Sequence, residues 1–189
     1  MPSPDQGFRQ VGERELLATS YLRFVAGGFV DPDGRPFERE IVRHPGAVCI
    51  VPVEDDGSVL MIRQFRGALN RVILEIPAGK LDVPGEPLED CARRELVEEV
   101  GRVAGRFSEI GTFYNSPGFN DELTTCFLAE ELSPVERATQ GIEEHFMTLE
   151  HVPLAGVWDL VESGELVDAK TIIGCALALR ARERRGGTS

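Results

Sequence analysis

The segment from Pro87 to Gly101 constrains this chain more than any other. At 100° per residue, Leu88, Ala92, Leu96 and Val100 fall in one i, i+4 stripe, and Val97 widens the apolar arc. Pro87 at the first turn, Glu89 and Asp90 near the positive end of the helix dipole, and Gly101 just past the last apolar residue punctuate a helix over 87–100. A helix with one apolar face must lie on another layer. Beside that face Glu95 and Glu99 form a second stripe one turn apart, with Glu98 on the same flank. Like charges at this spacing destabilise a helix by about 0.2–0.5 kcal/mol. Arg94 can pair with Glu98 at i, i+4, but neither Glu95 nor Glu99 has a basic residue at that spacing within the helix. Three carboxylates beside a buried face suit a hard divalent cation with oxygen ligands, Mg²⁺ or Mn²⁺; taken alone they equally describe a solvated acidic face.

The rest of the chain supplies a sheet for that helix. Residues 1–12 are polar and carry Gly and Pro, reading as a disordered segment or short arm. Strands are expected over 21–30 and 37–43, flanking the turn Asp31-Pro32-Asp33-Gly34. The apolar run 47–53 reads as a buried strand, and the turn 54–57 joins it to 58–65 as a second hairpin. Further strands are expected over 71–76, 107–113, 123–129 and 146–149, and helices over 154–162 and 169–184. The pattern is an α+β domain with mostly antiparallel connections. Its basic end, Arg180, Arg182, Arg184 and Arg185, reads as a frayed, solvated helix terminus.

Charge narrows the partners. The 189 residues suit one domain, or one with a small appendage, and carry a net charge of −12. A field this negative argues against non-specific binding to nucleic acid or to an anionic membrane. Residues 75–100 hold eight acids and three bases, and residues 121–168 hold twelve acids and one base. Cys49, Cys91, Cys126 and Cys175 lie far apart without a CxxC spacing, as small buried thiols in a reducing compartment do. The N-terminal MPSPDQGFRQ lacks a signal-peptide core, and no run approaches the roughly 18 apolar residues of a membrane span, so a cytoplasmic protein is expected.

The acidic helix also carries a pattern. Gly79, six residues, Glu86, seven residues, then Arg94-Glu95-Leu96-Val97-Glu98-Glu99-Val100-Gly101 resembles the Nudix box, G-x5-E-x7-R-E-U-x-E-E-x-G-U with U a bulky aliphatic. Two positions depart from it: the loop 80–85 is one residue longer, and Arg102 stands where an aliphatic residue is usual. The insertion precedes the helix and leaves the carboxylate spacing intact, and Arg102 bears only on local packing. The resemblance implies a Nudix α/β/α sandwich with a mixed sheet over 44–189, plus a small N-terminal arm of β-strands over 1–43 at the interface of a homodimer. It implies that Glu95 and Glu99 bind Mg²⁺, for which Mn²⁺ can substitute. Glu98 would be a ligand or a ligand's partner, and the carbonyl of Ala78 a further ligand. Arg94 would orient the carboxylates, and Glu86, with the glycines Gly79 and Gly101, would support the box.

Beyond the box the chain is similar to the ADP-ribose pyrophosphatase branch of that family. Pro117 lies sixteen residues past Gly101, within Ser116-Pro117-Gly118; Arg63–Arg66 reads RQFR, EIPAGKLD leads into the box, and SGELVDAKT ends at Thr171. The resemblance implies hydrolysis of ADP-ribose to AMP and ribose 5-phosphate. Arg66 would hold a phosphate, as a guanidinium suits phosphate oxygens. The loop Ser116-Pro117-Gly118 would touch the substrate, and Phe24 and Phe29, with Tyr21 a further candidate, would clamp the adenine. The general base would be a glutamate on a later loop, Glu144 first and Glu143 second. Another nucleotide sugar or an oxidised nucleotide as substrate, and a non-catalytic Nudix ligand sensor, are the other readings. The presence of all three carboxylates disfavours the sensor.

Overall fold

The computed structural model describes residues 5–138 and 145–186, in two compact units: Met1–Gly46 with Tyr114–Leu123, and Ala47–Phe113 with Thr124–Ser189.

The first unit is an antiparallel meander of β1 (Arg9–Ala18), β2 (Arg23–Val30) and β3 (Pro36–Arg43). The β2–β3 turn closes as its sequence demands. Gly34 takes φ +84°, its N–H donates to the Asp31 carbonyl at 2.9 Å, and the Asp31 side chain accepts the Arg35 N–H at 2.8 Å. Strand β1 decides residues 9–12 for the short arm rather than the disordered segment. All ten of its residues are exposed, so no period-two burial marks it in the sequence. Its antiparallel ladder to β2 holds it, and cross-strand charges add to the pairing: Arg23 bridges Glu13 and Glu15 at 3.0 Å each, and Arg43 meets Glu13 at 2.6 Å.

The second unit holds two sheets, β7-β4-β9-β8 and β10-β5-β6. Its strands are β4 (Ala47–Pro52), β5 (Ser58–Arg66), β6 (Arg71–Glu75), β7 (Ala78–Lys80), β8 (Arg102–Tyr114), β9 (Leu123–Pro134) and β10 (Thr148–Pro153). Its helices are α1 (Leu88–Val100), α2 (Val157–Glu162), which follows a 3₁₀ turn at Leu154–Gly156, and α3 (Ala169–Gly186). Strand β4 runs parallel to β9 and antiparallel to β7, so that sheet is mixed.

Strand alternation divides the core into two layers. Val48, Ile50, Leu60, Ile62, Phe127 and Ala129 pack with Cys91, Ala92, Leu96 and Val100 of α1. Their neighbours Cys49, Val51, Val59, Met61, Cys126 and Leu128 face the other way, with Cys175 and Ala178 of α3. Helices therefore cover both faces of the strands, the expected α/β/α sandwich. Burying a side chain such as Leu96, 1% exposed, contributes about 1.5–3 kcal/mol. The four thiols are buried and free, and burial pushes Cys175 up to about 12.

Four local expectations change. Strands β4 and β5 are joined by one bridge, Val53–Val59, then part into different sheets rather than forming a hairpin. Both are buried on both faces, so no alternation marks the divergence. Strand β10 starts at Thr148, not Phe146, because Phe146 is 82% exposed. On α1, Cys91 enters the core while Leu88, the first residue, stays 38% exposed. The basic end of α3 is tied down: Arg182 and Arg185, with Arg106 of β8, converge on Glu130 of β9.

Candidate active site

Helix α1 is set on the sheet by its two ends. At its C-terminus Gly101 takes φ +62°, ψ +47°, and its N–H caps the carbonyls of Leu96 and Val97. A Cβ there would also lie 2.8 Å from the Val135 carbonyl, so glycine is needed twice over. In the middle of α1, Glu95 lies directly over Gly79 of β7. A Cβ on Gly79 would stand 2.2 Å from the Glu95 carboxyl carbon. One turn on, Glu99, only 5% exposed, accepts the Ala78 N–H at 2.9 Å. Ala78, Gly79, Glu95 and Glu99 thus meet where helix and strand touch.

Arg94 gathers the rest. Its Nε and Nη2 each reach Glu86 at 3.0 Å, and its Nη1 reaches Glu95 at 2.8 Å and Glu98 at 3.1 Å. Hydrogen bonds donated by Arg94 hold the Glu86 carboxyl below its usual range, and the same bonds raise Arg94. One guanidinium faces three carboxylates, with Glu99 beside them. Glu95 and Glu98 have side chains only 13% and 12% exposed. Among the described residues no three Asp, Glu, His or Cys side chains stand close enough together to hold a metal ion. The donor chemistry nevertheless suits a hard divalent cation, since every donor is an oxygen and the carboxylates are sheltered.

The two departures from the box are both accommodated. The longer loop turns at Gly85 with φ +78° ahead of α1. Arg102 opens β8 and meets Glu54 at 3.0 Å, an ion pair in place of apolar packing.

Arg66 ends β5, with its Nε and Nη2 on the two oxygens of Glu75 at 2.6 and 2.7 Å. Its side chain is 40% exposed, and Glu99 is among the charges that raise its pKa, after its bond to Glu75 and against burial. Glu75 is fully buried on β6 and also accepts a hydrogen bond from Lys170. Sequence reasoning assigned Glu75 no role. The available signal was a carboxylate in the strand RVILE, flanked by the buried Leu74 and Ile76.

The remaining candidates belong to the first unit. Ser116 accepts the Phe119 and Asn120 N–H groups through its carbonyl at 3.2 and 3.1 Å, closing the turn around Pro117 and Gly118. Phe29, Pro117 and Gly118 line a cavity of about 260 Å³ with Arg39, Arg43 and Asp121. Phe29 stacks on Phe37 at 5.4 Å. Phe24 does not line this cavity; it sits on β2 opposite Val42, 37% exposed. Tyr21 lies edge-on to His44 at 5.9 Å. Glu143 and Glu144 lie outside the described residues.

Comparison with known proteins places this geometry. A family profile described as "NUDIX domain" matches residues 42–169. The chain is 49% identical over 140 residues to an ADP-ribose pyrophosphatase of Bacillus subtilis (strain 168), covering 74% of this chain and 75% of that protein. It is 41% identical over 165 residues to an ADP-ribose pyrophosphatase of Mycobacterium tuberculosis (strain ATCC 25618 / H37Rv), covering 87% and 76%. A solved structure described as an ADP compounds hydrolase superposes with a TM-score of 0.82 over 96% of this chain and 97% of its own, at 22% identity, a likeness of fold.

Proposed function

The chain belongs to the Nudix family, and from that premise we propose that it is a pyrophosphatase hydrolysing ADP-ribose to AMP and ribose 5-phosphate with Mg²⁺. The observation that carries the reading is the meeting of Glu95 and Glu99 with Ala78 and Gly79, drawn together with Glu86 and Glu98 by Arg94. Family members generally use divalent metals, and in this chain Glu95, Glu99, the Ala78 carbonyl and Glu98 would hold Mg²⁺, with Mn²⁺ as a substitute. Bound there, the metal would offset the diphosphate charge and acidify a water. Arg94 keeps the glutamates oriented, and Glu86 keeps Arg94 in place. Arg66 takes a phosphate oxygen on its exposed side. Gly79 leaves room for Glu95, whose carboxylate would otherwise be displaced.

On the same reading Ser116, Pro117, Gly118, Phe29 and Phe24, all of the first unit, are carried as substrate contacts by the family resemblance. A loop glutamate, Glu144 before Glu143, takes the proton of the attacking water. The new bond is water oxygen to phosphorus, and the bond lost is from that phosphorus to the bridging oxygen, which leaves with the other phosphate. The exposed β1 edge with Leu16 and Leu17 supports a homodimer built through residues 1–43. No helix among the described residues is long and apolar enough to cross a membrane. We assign the chain to the cytoplasm, with a small nucleotide sugar rather than nucleic acid as its partner. Steady-state turnover on a nucleotide-sugar panel tests the reading. ADP-ribose is expected to show the highest kcat/KM; preferred hydrolysis of another nucleotide sugar would refute the substrate assignment while leaving the metal site standing.

A further inference from the structure

Five groups form one continuous chain of hydrogen bonds behind Arg66. The Ile76 N–H donates to Thr171 Oγ1 at 2.9 Å, and that hydroxyl donates to Asp168 Oδ2 at 2.6 Å. Lys170 Nζ donates to the same Asp168 oxygen at 3.0 Å and to Glu75 Oε2. Glu75 then grips Arg66 side-on through both oxygens. Asp168 also caps the first turn of α3 by accepting the Thr171 N–H at 3.0 Å. The sequence DAKT, Asp168–Thr171, thereby acquires a structural meaning: it brings the start of α3 against the end of β6.

We infer that Glu75 and Lys170 are positioning residues that fix the guanidinium of Arg66 for a phosphate group of the substrate. This rests on the reading above in which Arg66 is a phosphate ligand. A carboxylate at 0% exposure persists in a core only where cations and hydrogen bonds replace its water. Here Arg66 and Lys170 do so together. With Nε and Nη2 committed to Glu75, the plane and rotation of the Arg66 guanidinium are set, and Nη1 makes no hydrogen bond among the described residues. Lys170, with its side chain 18% exposed, is anchored from behind by Asp168, so Glu75 cannot follow Arg66 outward. Through Thr171 the same turn holds the Ile76 N–H, two residues before Ala78. The phosphate arm and the strand that brings Ala78 to α1 are therefore braced by one turn of α3.

A network that merely glued α3 to β6 would contribute stability and nothing to substrate affinity. A double-mutant cycle in the full chain separates the two roles. Lys170→Met is expected to raise KM for ADP-ribose about tenfold, with kcat within about twofold. Arg66→Ala is expected to raise KM at least as much, and adding Lys170→Met to it to raise KM by less than about twofold further. Lys170→Arg, which keeps the charge, is expected to recover most of the affinity. If Lys170→Met does not fold, Lys170→Gln enters the same cycle. Multiplying KM effects in the double variant, or a lowered thermal midpoint with unchanged KM, would overturn the inference. If the wild type prefers another nucleotide sugar, the ADP-ribose assignment fails by itself, and the cycle run on that substrate still decides the role of Lys170.

Discussion

Replacing Gly79 by alanine probes the closest approach in the site. The added Cβ would stand 2.2 Å from the Glu95 carboxyl carbon and Oε1 and 2.3 Å from its Cγ, where ordinary contact begins at 3.4 Å. The carboxylate must retreat by 3.4 − 2.2 = 1.2 Å, and its 2.8 Å bond to Arg94 stretches with it. Gly79 has no positive φ, so the backbone accepts alanine without strain. The overlap is with the far end of a side chain, which can swing. Overpacking costs about 1–3 kcal/mol, offset in part by the roughly 0.4–1 kcal/mol gained from a stiffer unfolded chain. The thermal midpoint is therefore expected to fall by only a few degrees, at about 2–4 °C per kcal/mol for a chain of this size. A ligand moved by about 1 Å can lose on the order of 100-fold in rate. The assay is kcat/KM for ADP-ribose across a Mg²⁺ titration, beside thermal unfolding. Wild-type kcat/KM and unchanged Mg²⁺ half-saturation in Gly79→Ala would refute the placement of Glu95 as a metal ligand.

Three further outcomes follow from the same geometry. Gly101→Ala is expected to do the opposite, losing roughly 1–2 kcal/mol or more by thermal unfolding, because alanine resists φ +62° and meets the Val135 carbonyl; the surviving folded enzyme should keep its kcat. Arg102→Leu restores the usual aliphatic residue and loses the Glu54 ion pair, and is expected to shift stability by less than about 1 kcal/mol, measured by denaturant unfolding. Burial by itself would raise the Glu75 pKa, but hydrogen bonds from Arg66 and the charge of Lys170 outweigh it and hold the folded value below 4.5. A depressed carboxylate contributes stability above its unfolded value and loses it as pH falls through the folded one, so stability should decline below about pH 4.5, more shallowly in Glu75→Gln, as read by chemical unfolding at each pH.

What the sequence disclosed depended on whether the determining partners were near in the chain. Helix α1 was legible because its apolar period, its box residues and Gly101 all lie within one segment. Helical spacing put Glu95 and Glu99 in one stripe, while Gly79, Glu86 and Arg94 were legible only through the resemblance to the Nudix box. Strand β1 escaped because an all-exposed strand has no burial alternation, and its stabilising charges come from β2 and β3. The parting of β4 and β5 escaped because apolar residues fill both faces of each strand. Glu75 was the largest omission. Its partner Lys170 lies 95 residues away, so the surroundings of that carboxylate are set by tertiary packing and not by local pattern. Arg182 and Arg185 looked like solvated cations for the same reason, since Glu130 belongs to a distant strand.

The central claim is that Glu95 and Glu99 with Ala78 make a metal-dependent site for diphosphate hydrolysis. The most direct measurement is AMP release from ADP-ribose by chelator-stripped protein, before and after adding Mg²⁺, in the wild type and in Glu99→Gln. The account predicts negligible release without metal, full recovery with Mg²⁺ in the wild type, and a loss on the order of 100-fold in Glu99→Gln at saturating Mg²⁺. Equal release by stripped and Mg²⁺-loaded protein, or by Glu99→Gln and wild type, would contradict it.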